Sequence, residues 1–193
     1  IELGEYSHKP SPPSIVFKRR YGDCKDKALL TVSLLREMGI NASPALVNSR
    51  LKKGIVDYLP SPYAFNHVIV KASIADKTYW LDPTRINQIS NIDEVFQPNY
   101  NYALVIENGN NQLVTMDSQW RKISRKSIVE KFDLRAGIGE KGFYTVKTFY
   151  EGVWAENMRE RVANYSREII QKEYLNYVAS NFPSVKVHKE LEI

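Results

Sequence analysis

The segment from residue 24 to residue 38 is the feature that most limits how this chain can fold. Apolar residues recur there every three to four positions, as expected for a helix with one buried face. Asp23 precedes the segment as a favourable N-cap residue, and Gly39 follows it as a favourable helix end. We therefore predict one mostly buried helix that carries Cys24 in its first turn.

After this helix the pattern changes to short strands separated by turns. The predicted strands are residues 44–50, 64–73, 77–82, 103–107, 112–116, 124–134 and 143–150. Because one helix is followed by consecutive hairpins rather than by alternating strands and helices, the order indicates an α+β protein with an antiparallel sheet. The prolines among the first twenty residues disfavour a regular helix, so we expect an entry of extended or turn geometry there.

The second part of the chain differs in charge and in pattern. We predict a boundary near residues 118–122, with a core over residues 1–118 and a separate segment over 119–193 that contains one long amphipathic helix at about 154–180. The net charge of +5 lies mostly in this second part. Basic and acidic residues alternate there as on a solvated helix face, and no recognition motif is present, so nucleic acid is not a predicted partner.

Composition excludes several other classes of protein. The chain has 193 residues, of which 43% are hydrophobic and 25% charged, which is typical of a globular protein. Its single cysteine cannot form an internal disulfide, and its apolar runs are too short to insert into a membrane. Three scattered histidines offer no metal-ligand spacing, so we predict neither a metal nor a cofactor. Since the chain starts with Ile1, we expect it to be a piece of a longer protein.

The single cysteine lies where a thiol can be activated. A helix N-terminus and a nearby imidazole both favour the thiolate, which is the nucleophilic form. A lone cysteine is also often no more than a small buried apolar residue. The position of Cys24 alone therefore does not indicate catalysis, which depends on whether a histidine and a carboxylate lie near it.

His67 and Asp82 are those residues. His67 lies inside a strong strand pattern, and Asp82 ends the next strand. A two-residue turn at 74–75 would place Asp82 directly opposite His67, and a turn one residue later would make it a diagonal neighbour on the same face. Either register lets both side chains approach Cys24. The histidine would then act as base and acid, and the carboxylate would orient it.

Three motifs carry a resemblance to a known family. They are YGDCKDKA at 21–28, FNHV at 65–68 and WLDPT at 80–84. Together they resemble the core of the bacterial transglutaminase-like superfamily, in particular large bacterial proteins in which this core lies between two β-rich domains of uncharacterised function. The resemblance is specific over residues 1–118 and looser afterwards, where it suggests the start of the C-terminal β-rich domain.

The resemblance implies a papain-like fold in which a central helix packs on an antiparallel sheet. It implies that Cys24, His67 and Asp82 form a catalytic triad for acyl transfer through a thioester. We expect a peptidase or amidase acting on a peptide or protein substrate, in the bacterial periplasm or at the cell surface. True transglutaminases use a tryptophan upstream of the cysteine, and none precedes Cys24. The alternatives are a protein-crosslinking transglutaminase and a catalytically silent binding or scaffold module of a multidomain envelope protein.

Several neighbouring residues are candidates for supporting roles. The backbone N–H of Cys24 is one natural oxyanion donor, and Tyr6, His8 and Tyr21 are alternatives for a second. Asp23, Lys25 and Asn66 are candidates for contact with the substrate, and Lys25 would also lower the thiol pKa. The competing interpretation is structural: N-capping for Asp23, and a supporting role for Asn66.

Overall fold

A computed structural model describes residues 8–116 and 124–193, and these contain both helices and antiparallel sheets. The α+β class predicted from the sequence is confirmed. The described residues fall into two compact units, one of residues 8–86 with 97–116 and one of residues 87–96 with 124–193. The predicted boundary at 118/119 lies outside the described residues, so that division stays a prediction.

The described part of the first unit contains two α-helices, two short 3₁₀ helices (Lys52–Asp57 and Pro62–Ala64) and a five-stranded sheet. Its α-helices and strands are α1 (Pro13–Arg19), α2 (Cys24–Glu37), β1 (Asn41–Val47), β2 (His67–Ile74), β3 (Lys77–Leu81), β4 (Tyr102–Val105) and β5 (Val114–Thr115). The strand order is β3-β2-β1-β4-β5, and every neighbouring pair is antiparallel. Helix α2 packs against the two central strands, β1 and β2.

Apolar side chains are buried on both faces of this sheet, in two clusters. One cluster contains Ala28, Val32, Ala42, Val70 and Ala72. The other contains Ala45, Val47, Ile69, Trp80, Tyr100, Ala103, Val105 and Met116. Adjacent residues of β2 belong to different clusters, because successive side chains of a strand point to opposite faces. His67 and Asp82 therefore share the face of the second cluster.

The turn between β2 and β3 decides the register of the site. Ala75 and Asp76 both have positive φ angles, of 46° and 62°, as a two-residue type I′ hairpin turn requires. The turn pairs Ile74 with Lys77. Asp82, just past β3, is therefore the diagonal neighbour of His67. The later of the two predicted turn positions is correct, and the directly opposite register is wrong.

Helix α1 contradicts the entry of extended or turn geometry expected from the prolines. Pro13 is the first residue of this helix, where the missing N–H removes no helical hydrogen bond and the fixed φ already suits the helix. Proline therefore starts this helix rather than preventing it.

The second unit contains a hairpin and two helices. Strands β6 (Lys126–Asp133) and β7 (Phe143–Tyr150) pair along their whole length. They are followed by α3 (Val153–Asn164) and α4 (Arg167–Ala179). The predicted single helix at about 154–180 is wrong. Tyr165 is extended, and the Ser166 hydroxyl accepts from the N–H of Ile169 at 3.5 Å, so that a new helix begins there.

A buried carboxylate on α3 holds residues 87–96 in this second unit. Glu156 accepts hydrogen bonds from the Gln88 side chain at 2.9 Å and from the backbone N–H of Phe96 at 3.0 Å. The Arg159 guanidinium donates to the carbonyl oxygen of Asn87 at 3.0 Å. These contacts satisfy a carboxylate that is only 3% exposed, which is the condition for burying its charge.

Candidate active site

Cys24 is the first residue of α2, and a capping box fixes that position. The Asp23 carboxylate accepts from the N–H of Asp26 at 3.2 Å, and the Asp26 carboxylate accepts from the N–H of Asp23 at 3.4 Å. This reciprocal pair defines where the helix begins. The N–H of Cys24, in the first turn, has no intrahelical partner, which leaves it available as the predicted oxyanion donor.

The buried carboxylate of Asp26 connects the segment before Cys24 to helix α2. Asp26 is fully buried and accepts hydrogen bonds from the N–H of Ser11 at 2.6 Å and from the Arg19 guanidinium. Gly22 passes so close that a Cβ atom there would lie 2.7 Å from the Cβ of Asp26. Only glycine permits this approach without a shift of the backbone. Gly22, Asp23 and Asp26 of the first motif thus have structural roles at the start of helix α2.

The structure brings the three predicted catalytic residues together in order. The Nε2 atom of His67 lies 2.8 Å from Oδ2 of Asp82. The thiol of Cys24 lies within reach of the His67 side chain and of the backbone N–H of Val68, both of which lower its pKa. Because Nε2 faces Asp82, Nδ1 is the ring nitrogen left for the thiol. The ring therefore connects a carboxylate on one side to a thiol on the other.

These contacts shift the pKa values of both reacting groups. The hydrogen bond from His67 lowers the pKa of the Cys24 thiol, against the opposing effect of burial, and the N–H of Val68 adds to the lowering. Burial alone would lower the pKa of His67. The hydrogen bonds to Asp82 and Cys24 outweigh it and raise that pKa to about 9. Both shifts favour a thiolate beside an imidazolium.

Asp82 is buried, and both of its oxygens are hydrogen-bonded. Oδ1 accepts from the N–H of Thr84 at 3.0 Å and from its hydroxyl at 2.5 Å. Oδ2 accepts from His67 and, at 3.4 Å, from the hydroxyl of Tyr100. Burial acts to raise the pKa of Asp82, but the hydrogen bonds from His67 and Thr84 lower it overall. The carboxylate is therefore charged when it faces the histidine.

Sequence reasoning does not predict that Thr84 and Tyr100 contact Asp82. The signal for Thr84 is local, because an Asp side chain commonly accepts from the backbone two residues further on. Tyr100 offers no such signal, since it lies 18 residues after Asp82 and reaches it only through the fold. Its ring meets that of His67 edge to face, with the centroids 6.0 Å apart. The N–H of Val68 beside the thiol is likewise a product of the tertiary structure.

The predicted neighbours of Cys24 have structural partners. Lys25 forms an ion pair with Asp23, and both are mostly buried. Asp23 is thus engaged as a helix cap and as an ion-pair partner, and its charge acts to raise the thiol pKa. Asn66 is exposed and accepts from the N–H of Ser49 at 2.9 Å, which fixes the turn after β1. These contacts favour the structural interpretation of Asp23, Lys25 and Asn66.

The candidates for a second oxyanion donor stay open. His8 is exposed. Tyr21 is 61% exposed, and its ring lies 4.9 Å from the Arg19 guanidinium. Tyr6 lies outside the described residues.

Neither a metal site nor a membrane span is found in the described parts of the chain. Residues 8–116 and 124–193 contain no group of three or more His, Cys, Asp and Glu side chains arranged to hold a metal ion. Within the same ranges, every helix is too short or too polar to cross a bilayer.

Comparisons with protein-family models, with curated proteins and with solved structures find no match to this chain. The family resemblance of the three motifs stays a prediction.

Proposed function

We propose that this protein is a cysteine-dependent acyl-transfer enzyme with a papain-like, transglutaminase-like core, acting as a peptidase or amidase on peptide or protein amides. The observation that carries the proposal is the chain of contacts from Cys24 through His67 to Asp82, with the cysteine at a helix start. A thiol with a lowered pKa beside an oriented imidazole is the arrangement that nucleophilic catalysis needs.

The chemistry follows from the positions of the atoms. The Cys24 thiolate attacks the carbonyl carbon of an amide, and the N–H of Cys24 stabilises the oxyanion. His67 gives its proton to the departing nitrogen as the C–N bond breaks, leaving a thioester and a free amine. Water then attacks the thioester and gives a proton to His67. The carboxylic acid leaves, and the thiolate and imidazolium are restored. Asp82 stabilises the imidazolium and holds its orientation.

Alkylation of the single cysteine tests the nucleophile directly. Cys24 is the only cysteine of the chain, so mass spectrometry after a low dose of iodoacetamide reports one site. Near pH 7 we expect the wild type to react about tenfold faster than His67→Ala, because loss of the imidazole returns the thiol pKa toward its usual range. His188→Ala, which removes an exposed histidine of the second unit, should react like the wild type. Slow and equal labelling of the wild type and His67→Ala would instead support the silent binding or scaffold module.

Turnover distinguishes hydrolysis from crosslinking. The wild type, incubated with a denatured protein substrate and a primary amine, should release peptides or ammonia, and Cys24→Ala should release none while keeping a wild-type circular dichroism spectrum. Incorporation of the amine in place of hydrolysis would identify a transglutaminase. Loss of the fold in Cys24→Ala would mean that the cysteine serves packing.

A further inference from the structure

The orientation of the Asp82 carboxylate is a separate requirement of the site. A carboxylate rotates easily about its last bond, because that torsion has only broad preferences. Oδ2 must nevertheless stay on Nε2 of His67, or the ring can turn away from the thiol. Asp82 lies just past the end of β3, where strand pairing no longer restrains it. Something other than the sheet has to fix this side chain.

Thr84 supplies two donors to the oxygen that does not face the histidine. Its N–H lies 3.0 Å and its hydroxyl 2.5 Å from Oδ1 of Asp82. Two donors from one residue hold this oxygen at one place, and hydrogen bonds to a carboxylate are stronger than those between neutral groups. With Oδ1 fixed, the planar group can present only Oδ2 to His67.

Tyr100 acts on the other oxygen and on the ring. Its hydroxyl lies 3.4 Å from Oδ2, and its ring meets the edge of the imidazole. Tyr100 itself is 7% exposed and belongs to the cluster that contains Ile69 and Trp80. The contact is longer than those of Thr84, so we expect it to contribute less.

We propose that Thr84 is a positioning residue of this site: it fixes the rotation of the Asp82 carboxylate and thereby the His67 ring, with Tyr100 as a weaker second support. The inference rests on the proposed function for its catalytic meaning. The geometric claim, that Thr84 determines how well Asp82 stabilises the imidazolium, can be measured without any activity.

The test compares Thr84→Val with Thr84→Ser. Valine keeps the shape of threonine but lacks the hydroxyl donor, whereas serine keeps the donor. Thr78→Val is the matched control, because Thr78 is an exposed threonine on neighbouring β3. Tyr100→Phe removes the weaker donor and keeps the ring.

Two pH titrations serve as readouts. The first is the rate of Cys24 alkylation against pH, whose acidic limb reports the thiol pKa. The second is the NMR titration of the His67 imidazole, whose signal is assigned by its absence in His67→Ala. In Thr84→Val we expect the thiol pKa, read from the acidic limb of the alkylation profile, to rise by roughly half to one pH unit. We expect the His67 pKa to fall by a similar amount, because one hydrogen bond to the carboxylate is lost. Thr84→Ser should restore both values, Thr78→Val should change neither, and Tyr100→Phe should shift the limb in the same direction by less.

The two proposals fail in different ways. If Thr84→Val titrates like the wild type, or if serine does not restore the His67 pKa, the positioning role is overturned. A variant that is only less stable would leave both titrations unchanged, which also overturns it. If instead wild-type Cys24 is alkylated slowly and independently of His67, the proposed function fails, and the NMR titration still decides the role of Thr84.

Discussion

The two units of this protein bury their side chains in different ways. In the first unit, apolar clusters cover both faces of a five-stranded sheet. In the described part of the second unit, Ile170 is the only apolar side chain that is buried. The two strands of its hairpin leave six large apolar residues exposed: Ile128, Val129, Phe132, Phe143, Val146 and Phe149. A two-stranded hairpin is at best marginally stable by itself, whereas a sheet packed on both faces is a rigid support. His67 and Asp82 of the candidate site lie on or next to strands of the packed sheet, and a rigid support of this kind is what the positioning of reactive groups requires.

The largest expected difference between the units lies in apolar truncation. Ile69 on β2 is fully buried in an apolar cluster, whereas Phe132 on β6 is half exposed. We expect Ile69→Ala to lower the free energy of unfolding of the first unit by about 2–5 kcal/mol, because it opens a cavity in a packed core. Phe132→Ala should cost less than about 1 kcal/mol. Hydrogen exchange read separately over β2 and β6 measures both. Equal losses would mean that the hairpin has a core of its own.

Ion pairs should show the same contrast on a smaller scale. Asp26 is buried and holds Arg19 and the N–H of Ser11, whereas Asp133 pairs with Arg135 at the surface. Asp26→Ala should destabilise the first unit by roughly 2–4 kcal/mol, since it leaves buried donors unsatisfied. Asp133→Ala should cause no measurable change, because exposed pairs contribute little. Urea denaturation of the two variants provides the comparison, and a large effect of Asp133→Ala would contradict it.

The smallest expected effect is a pH dependence confined to the first unit. The His67 pKa is raised from 6.5 to about 9, so the stability it contributes is fully present below pH 6.5 and is lost as the pH rises through the folded value. The Cys24 thiol titrates in the opposing sense, so the measurement uses Cys24→Ala, in which Asp82 still raises the His67 pKa. In Cys24→Ala, hydrogen exchange over β2 should accelerate as the pH rises above 6.5, after correction for intrinsic rates, and it should do so more than in the double variant with His67→Gln. Exchange over β6 serves as the reference, and identical profiles in the two variants would contradict the prediction.

Local sequence patterns predict several elements of this protein. The helix start at Cys24, the β2–β3 hairpin and the β6–β7 hairpin all follow from residues within a few positions of one another. The prediction of a single helix at about 154–180 is wrong because it used apolar spacing alone. That spacing continues across Ser166, although Ser166 caps a new helix. Spacing reports the face of a helix, and capping decides where the helix begins.

The sequence alone determined the α+β class, the position of the thiol at a helix start, and the parity that places His67 and Asp82 on one face. The tertiary structure alone decided that Tyr100 reaches Asp82 and that residues 87–96 join the second unit through Glu156. The physical reason is the range of the interactions. Capping, turn geometry and strand alternation act between near neighbours in the chain. Buried carboxylates, in contrast, accept hydrogen bonds from donors that are distant in the sequence and that packing brings close.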